Sequence, residues 1–228
     1  MTNIAELINE ISTVRALDIF YEARRTPRRR LGLSQIGHKC GRYLWYKHRC
    51  HLEKPPEGRV LRLFELGNII EDHIAMDLAH IGVSITHRQY PVKFTLDGVT
   101  LHGSIDGIAT GLIESSQPHL WECKTMNDKG FAKLLKDGYE AYNEQYKAQV
   151  HAYMLGLKLN RAFVTVYNKN TSALYQERIA LKRDWIIDRL SDVFRIIAME
   201  SEPERACPRA DWWEAKWCPF YEECFQCL

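Results

Sequence analysis

The stretch LHGSIDGIATGLIESSQPHLWECKT, residues 101–125, limits what this chain can become more than any other. Its two apolar runs read as strands, along which successive side chains point to opposite faces of a sheet. Asp106 closes the first run, and Glu122 and Lys124 stand two apart on the second. Those two therefore share a face, roughly 6 to 7 Å apart, while Cys123 turns to the other. If the strands pair, Asp106 joins that face, and two carboxylates and an ammonium fall in one small volume. Carboxylates so close raise each other's pKa unless a cation separates them. A divalent ion neutralises such a pair, and oxygen ligation favours a hard one, Mg²⁺ or Mn²⁺. Lys124 is then left to orient water or to steady charge growing on a phosphate. For a Glu-x-Lys alone, the ordinary alternative is a surface hairpin with an ion pair between neighbours.

Further motifs stand on either side. Residues 59–81 carry a long helical pattern in which Leu61, Phe64, Leu66, Ile69, Ile70, Ile74 and Leu78 pack, with His73 on a neighbouring face inside GNIIEDHIAMDL. The pattern over residues 139–157 predicts a second long helix, where Gln149 and Tyr153, four apart in QVHAY, share a face that can point at the strands. In order, a G-x(n)-H helix, a GSID strand, an ExK strand and a QxxxY helix resemble the RecB-type branch of the PD-(D/E)xK nuclease superfamily.

The resemblance implies an α/β, restriction-endonuclease-like core with a central mixed sheet flanked by helices. It implies that Asp106 and Glu122 ligate Mg²⁺ or Mn²⁺, with the carbonyl of Cys123 and the ring of His73 as further ligands. Lys124 acts on water in such enzymes, and Gln149 with Tyr153 positions the scissile strand. The first acid follows Ile105 in SIDG where the superfamily's name suggests a proline, a common departure in RecB-type members.

Elsewhere the pattern predicts mostly helices. Residues 4–21 place Ile4, Leu7, Ile8, Ile11, Val14, Leu17 and Phe20 on one stripe, to lie against the body of the protein. ARRTPRRR follows, with Arg24, Arg25, Arg28, Arg29 and Arg30: a solvated linker or a phosphate-contacting arm. Ser34 is placed to cap a helix bearing Cys40, Arg42, Trp45 and Tyr46. Asp97-Gly98 signals a tight hairpin, because both residues tolerate positive φ. A short helix lies between Gly130 and Gly138, a second hairpin turns around residues 168–171, and a helix over 185–199 leads into the tail.

Seven cysteines, in a chain whose first residues MTNIAELINEI lack the pattern of a signal peptide, point to a reducing, cytoplasmic setting and to metal binding or buried thiols. The tail holds Cys207, Cys218, Cys224 and Cys227. Iron–sulfur nucleases of the same superfamily carry one cysteine near the amino terminus, in an S-x-x-x-x-x-C-x-R-x-x-W-Y segment that Ser34 to Tyr46 resembles, and three near the carboxyl terminus. The resemblance implies a [4Fe-4S] cluster held by Cys40, Cys218 and Cys224, joining the two ends of the chain. The usual C-x2-C-x5-C is broken at Ala215, so Cys207 or Cys227 supplies the fourth thiolate, and Cys207 is preferred because Cys227 is next to the terminus. Four thiolates suit Zn²⁺ equally well. Cys50, between His48 and His51, is a competing zinc fragment.

At 228 residues and 46% hydrophobic, the chain can bury the core of one domain, divided as a helical segment 1–58, a core 59–200 and a Cys-rich tail 201–228. A net charge of +2 means that nucleic acid would be held by local patches. No apolar run is long enough to span a membrane, and no G-x(4)-GKS or GKT loop occurs. The expected function is a metal-dependent DNA exonuclease acting on single strands or ends, similar to CRISPR-associated and AddB-like nucleases. An endonuclease or trimming subunit within a recombination or CRISPR complex, and a noncatalytic nucleic-acid-binding protein, are the alternatives. Trp45, Tyr46, Trp212, Trp213 and Trp217 are candidates for stacking on bases.

Overall fold

The computed structural model describes residues 12–24, 30–49 and 56–225. Arg25, Arg28, Arg29, Cys50, His51, Cys227 and the first part of the predicted amino-terminal helix lie outside those residues. Three helices come first: α1 (Thr13–Arg24), α2 (Gly41–His48) and the long α3 (Gly58–His80). Strands β1 (Ser84–Thr86), β2 (Pro91–Leu96), β3 (Val99–Ser104), β4 (Gly107–Thr110) and β5 (His119–Met126) follow. Helices α4 (Asp128–Asp137), α5 (Tyr139–Tyr142) and α6 (Glu144–Leu157) then cross over to β6 (Arg161–Asn168) and β7 (Leu174–Ala180). The chain ends with α7 (Arg183–Ala198), α8 (Trp213–Lys216) and α9 (Tyr221–Phe225).

The central sheet is mixed, in the order β1-β4-β5-β6-β7. Only β5 and β6 are parallel, which is why three helices separate them while the antiparallel neighbours β6 and β7 are joined by a short turn. Residues alternate across β5 and β6 and build two cores. Leu120, Val164 and Val166 face Val150 and Met154 of α6 and Ile186 and Val193 of α7, whereas Trp121, Cys123 and Phe163 face Ile74 of α3. Helices thus cover both faces of the sheet. None in the described residues is long and apolar enough to cross a membrane.

Several local expectations need correction. β2 and β3 form a hairpin of their own beside the main sheet, with Asp97 at φ 49° and Gly98 at φ 79° in the turn. The run after it breaks at Ile105-Asp106, and β4 continues in the large sheet. The stripe assigned to the first helix is not sealed: Val14, Leu17 and Phe20 of α1 are all about half exposed. Of the apolar stripe of α3 Ile74 is buried, Ile70 and Leu78 pack in part, and Phe64, Leu66 and Ile69 face outward. Ser34 sits in a single 3-10 turn, and the residue that caps α2 is Cys40, whose Sγ accepts from the backbone N–H of Tyr43 at 3.4 Å.

Hydrogen bonds and an ion pair from Arg42 to Glu202 tie the tail to α2. Arg42 and Trp45 donate to the backbone carbonyls of Pro203 and Met199 at 2.7 and 3.0 Å, and the Tyr46 hydroxyl donates to Glu223 at 3.2 Å. Trp45, Tyr46 and Phe220 form a third apolar cluster, against which Cys218 and Cys224 pack.

Candidate active site

Asp106 fills the break between β3 and β4, and its Oδ2 accepts a 2.8 Å hydrogen bond from the backbone N–H of Cys123. That bond fastens a loop carboxylate to the middle of β5. Glu122 and Lys124 lie on one face of β5 and form an ion pair through Glu122 Oε1. Cys123 faces away, its thiol near Thr165 and pushed up to about 12 by burial. Glu122 has no exposed surface, and its Oε2 has no hydrogen-bond partner, a costly arrangement for a carboxylate.

A third acid completes the group, and it comes from α3. Glu71 lines the same cleft as Asp106 and Lys124, held by Arg88 at 2.8 Å, while Arg88 also reaches Asp72. His73 is not there. Its side chain is 63% exposed and its Nε2 lies 3.5 Å from Asp77. Two residues along a helix are about 200° around it, so Glu71 and His73 cannot face the same cleft. The signal for Glu71 was present in the sequence, since it stands three residues before Ile74 on the stripe that packs inward.

The three carboxylates perturb one another. Burial pushes Glu122 up to about 8, with Asp106 the next cause and Glu71 a further one. Glu71 is raised by burial and then by Asp106, against the pull of Arg88. Asp106 is raised by burial, opposed chiefly by Lys124. Burial works to discharge Lys124, but Glu122, Tyr139 and Asp106 outweigh it and hold the ammonium strongly protonated. This is a set of acids short of positive charge.

The cleft above them has a volume of about 980 Å³. Gln149 and Tyr153 of α6 line one wall, as their shared helical face predicts, and both are nearly sealed from solvent. Gly103 makes room for that wall: a Cβ there would lie 2.7 Å from the Tyr153 hydroxyl, so any larger residue displaces the Tyr153 ring. Arg30 and Lys169 bring cations to the cleft, and Phe64 an exposed aromatic ring. Lys169, on the turn after β6, had no motif to mark it.

Among the described residues no three His, Cys, Asp or Glu side chains are gathered closely enough to hold a single metal ion. At the acidic site the carboxylates are each engaged internally, by Lys124, by the Cys123 N–H and by Arg88. The donor chemistry nevertheless suits a hard cation, and the orphaned Glu122 oxygen is a ligand without an occupation. In the tail, Cys40, Cys207, Cys218 and Cys224 are near enough to influence one another. Burial pushes the Cys218 thiol up to about 11, and the other three cysteines add to the rise. Arg42 donates to Cys224 Sγ at 3.9 Å.

No protein-family model matches the sequence, and no curated protein matches it. Solved structures do match. One titled as the crystal structure of SSO0001 aligns at a TM-score of 0.52 and 15% identity, covering 99% of this chain and 97% of that one. The alkaline exonuclease LHK-Exo from Laribacter hongkongensis aligns at a TM-score of 0.52 and 17% identity, covering 79% of this chain and 91% of that one. LHK-Exo in complex with dAMP aligns at a TM-score of 0.51 and 15% identity, covering 81% and 91%. Identities this low speak for fold alone, and the fold is one this chain shares with SSO0001 and with LHK-Exo.

Proposed function

We propose that the chain is a divalent-metal-dependent nuclease that hydrolyses phosphodiester bonds, working as an exonuclease on single-stranded DNA or DNA ends. The observation that carries the proposal is Glu122, a fully buried carboxylate with one free oxygen, set beneath Asp106, Glu71 and Lys124, which line an open cleft. The fold shared with LHK-Exo supports it, and the dAMP in one of those structures supports DNA as the polymer.

Asp106, Glu122 and Glu71 would hold Mg²⁺ or Mn²⁺, with the Cys123 carbonyl beside them. When bound, the ion supplies an activated water and neutralises charge on the phosphate. Lys124 places its ammonium where negative charge grows on the phosphate oxygens, the kind of preorganised stabilisation that dominates many active sites. Gln149 and Tyr153 orient the strand, and Arg30 and Lys169 contact its phosphates along the cleft. Incubation with end-labelled linear and circular single strands plus Mn²⁺ tests the proposal. Loss of linear strands from their ends with circles spared is the expected result, and binding without cleavage of either would end it.

A pH dependence follows from the buried acid. Glu122 binds a proton more tightly than an ordinary carboxyl, because burial and then Asp106 disfavour its charged form, so a cation must compete with that proton. Mn²⁺ affinity, measured by calorimetry, therefore weakens by up to about tenfold for each pH unit below 8. In the metal-free protein the raised pKa has the opposite consequence: the folded chain loses stability as pH climbs from the ordinary carboxylate range toward 8. A Mn²⁺ affinity that does not change across this range is incompatible with Glu122 as a ligand.

For the tail we propose a [4Fe-4S] cluster on Cys40, Cys207, Cys218 and Cys224, with Zn²⁺ as the alternative. Cys40 stands at the amino end of α2, the helix to which the tail is hydrogen-bonded. Elemental analysis of anaerobically purified protein separates iron from zinc, and neither metal at stoichiometry removes the proposal.

A further inference from the structure

Lys124 faces a conflict at the proposed site. Its ion-pair partner is Glu122, the same carboxylate that would turn toward a divalent metal. An ammonium whose side chain is only 20% exposed then loses its main partner. Two tyrosines stand beside it. The Lys124 Nζ lies 5.4 Å from the centre of the Tyr146 ring, within the range of a cation–π contact. Tyr146 stacks on Tyr139, with ring centres 5.7 Å apart and planes at 23°.

Tyr139 is fully buried, and its hydroxyl has no hydrogen-bond partner. Buried phenol groups usually find one, and leaving it unpaired costs stability. The residue is nevertheless firmly placed. Its backbone N–H donates to Glu177 Oε2 at 2.9 Å, and Asn143 caps the next helix through the N–H groups of Gln145 and Tyr146. The backbones of both tyrosines are thus pinned by groups that leave the Tyr139 hydroxyl free to accept.

We propose that Tyr139 and Tyr146 form a second seat for the Lys124 ammonium, used when Glu122 turns to the metal, which makes Tyr139 a positioning residue for the reaction. The proposal rests on the nuclease reading of the site. The hydroxyl accepts from the ammonium, the Tyr146 face steadies it, and Lys124 stays charged at the cleft instead of drifting into solvent. Consistent with this, Tyr139 and Lys124 each shift the other's proton affinity.

Tyr139→Phe is the test, because it deletes the hydroxyl and nothing else. A tyrosine that only fills space predicts a variant at least as stable as the wild type, through loss of an unpaired buried group, with unchanged kinetics. A seat for Lys124 predicts equal or higher thermal stability together with a kcat about tenfold lower and an unchanged KM, the loss expected for a hydrogen bond to a charged group. It also predicts weaker Mn²⁺ binding by calorimetry, because moving the lysine off Glu122 becomes harder. Wild-type kcat and Mn²⁺ affinity in Tyr139→Phe overturn the seat while leaving the nuclease reading standing. A kcat that falls only in step with a lower melting temperature overturns it as well. A wild-type protein that neither cleaves nor binds Mn²⁺ removes the nuclease reading and this inference with it.

Discussion

Alanine at Lys124 lowers Mn²⁺-dependent cleavage by about 10² to 10³, and asparagine at Asp106 does the same, with both proteins still folded. The two residues act in different ways. Lys124 contributes a charge that matters most when the phosphate oxygens gain charge, so its loss appears in kcat. Its removal leaves Glu122 without a cation, but a carboxyl already pushed up to about 8 simply keeps its proton, and the core survives. Asp106 needs the milder substitution. Its Oδ2 accepts the Cys123 N–H, and alanine would strand that donor at a cost of about 1 to 3 kcal/mol. Asparagine keeps the acceptor and removes only the charge. Single-turnover kinetics beside thermal melts separate lost chemistry from lost fold, and a folded Lys124→Ala with wild-type cleavage overturns the assignment of the site.

A second pair of variants distinguishes the two candidate residues of α3. Glu71→Gln, which preserves size and a bond to Arg88, lowers cleavage by about 10², because it removes one of the two carboxylates that line the cleft. His73→Ala stays within about twofold of the wild type, as expected of an exposed side chain whose contact is Asp77 one turn away. The reverse result, loss with His73→Ala and none with Glu71→Gln, would mean that α3 turns a different face to the sheet. Mn²⁺ calorimetry on the same two proteins reads the ligand role directly.

The difference between Glu71 and His73 shows where sequence reading reaches its boundary. Motif order pointed to a functional residue in GNIIEDHIAMDL and settled on the histidine, whereas the packing of Ile70, Ile74 and Leu78 turns Glu71 inward. The apolar residues of α3 run almost all the way round the helix, so periodicity alone did not choose a face. Phe64, Leu66 and Ile69 read as core and are exposed. Similarly, Ser34 satisfied every local rule for a cap, yet the helix begins later and Cys40 takes the role. Nothing in the local sequence shows that β2 and β3 stand apart from the main sheet, because strand pairing across a break is a long-range choice.

What the sequence by itself determined are relations within one element. Glu122 and Lys124 share a side of β5 with Cys123 opposite, Gln149 and Tyr153 share a side of α6, and Asp97-Gly98 turns a hairpin, since strand alternation, helical pitch and positive φ are properties of a few consecutive residues. The tertiary structure alone decided which of those sides meet. It brought a loop aspartate onto β5 through one backbone N–H, chose a glutamate of α3 to face it, and stripped water from Glu122. Burial and the neighbourhood of like charges, which make these acids unusual, come from residues far apart in the chain, and only the packed fold sets their distances.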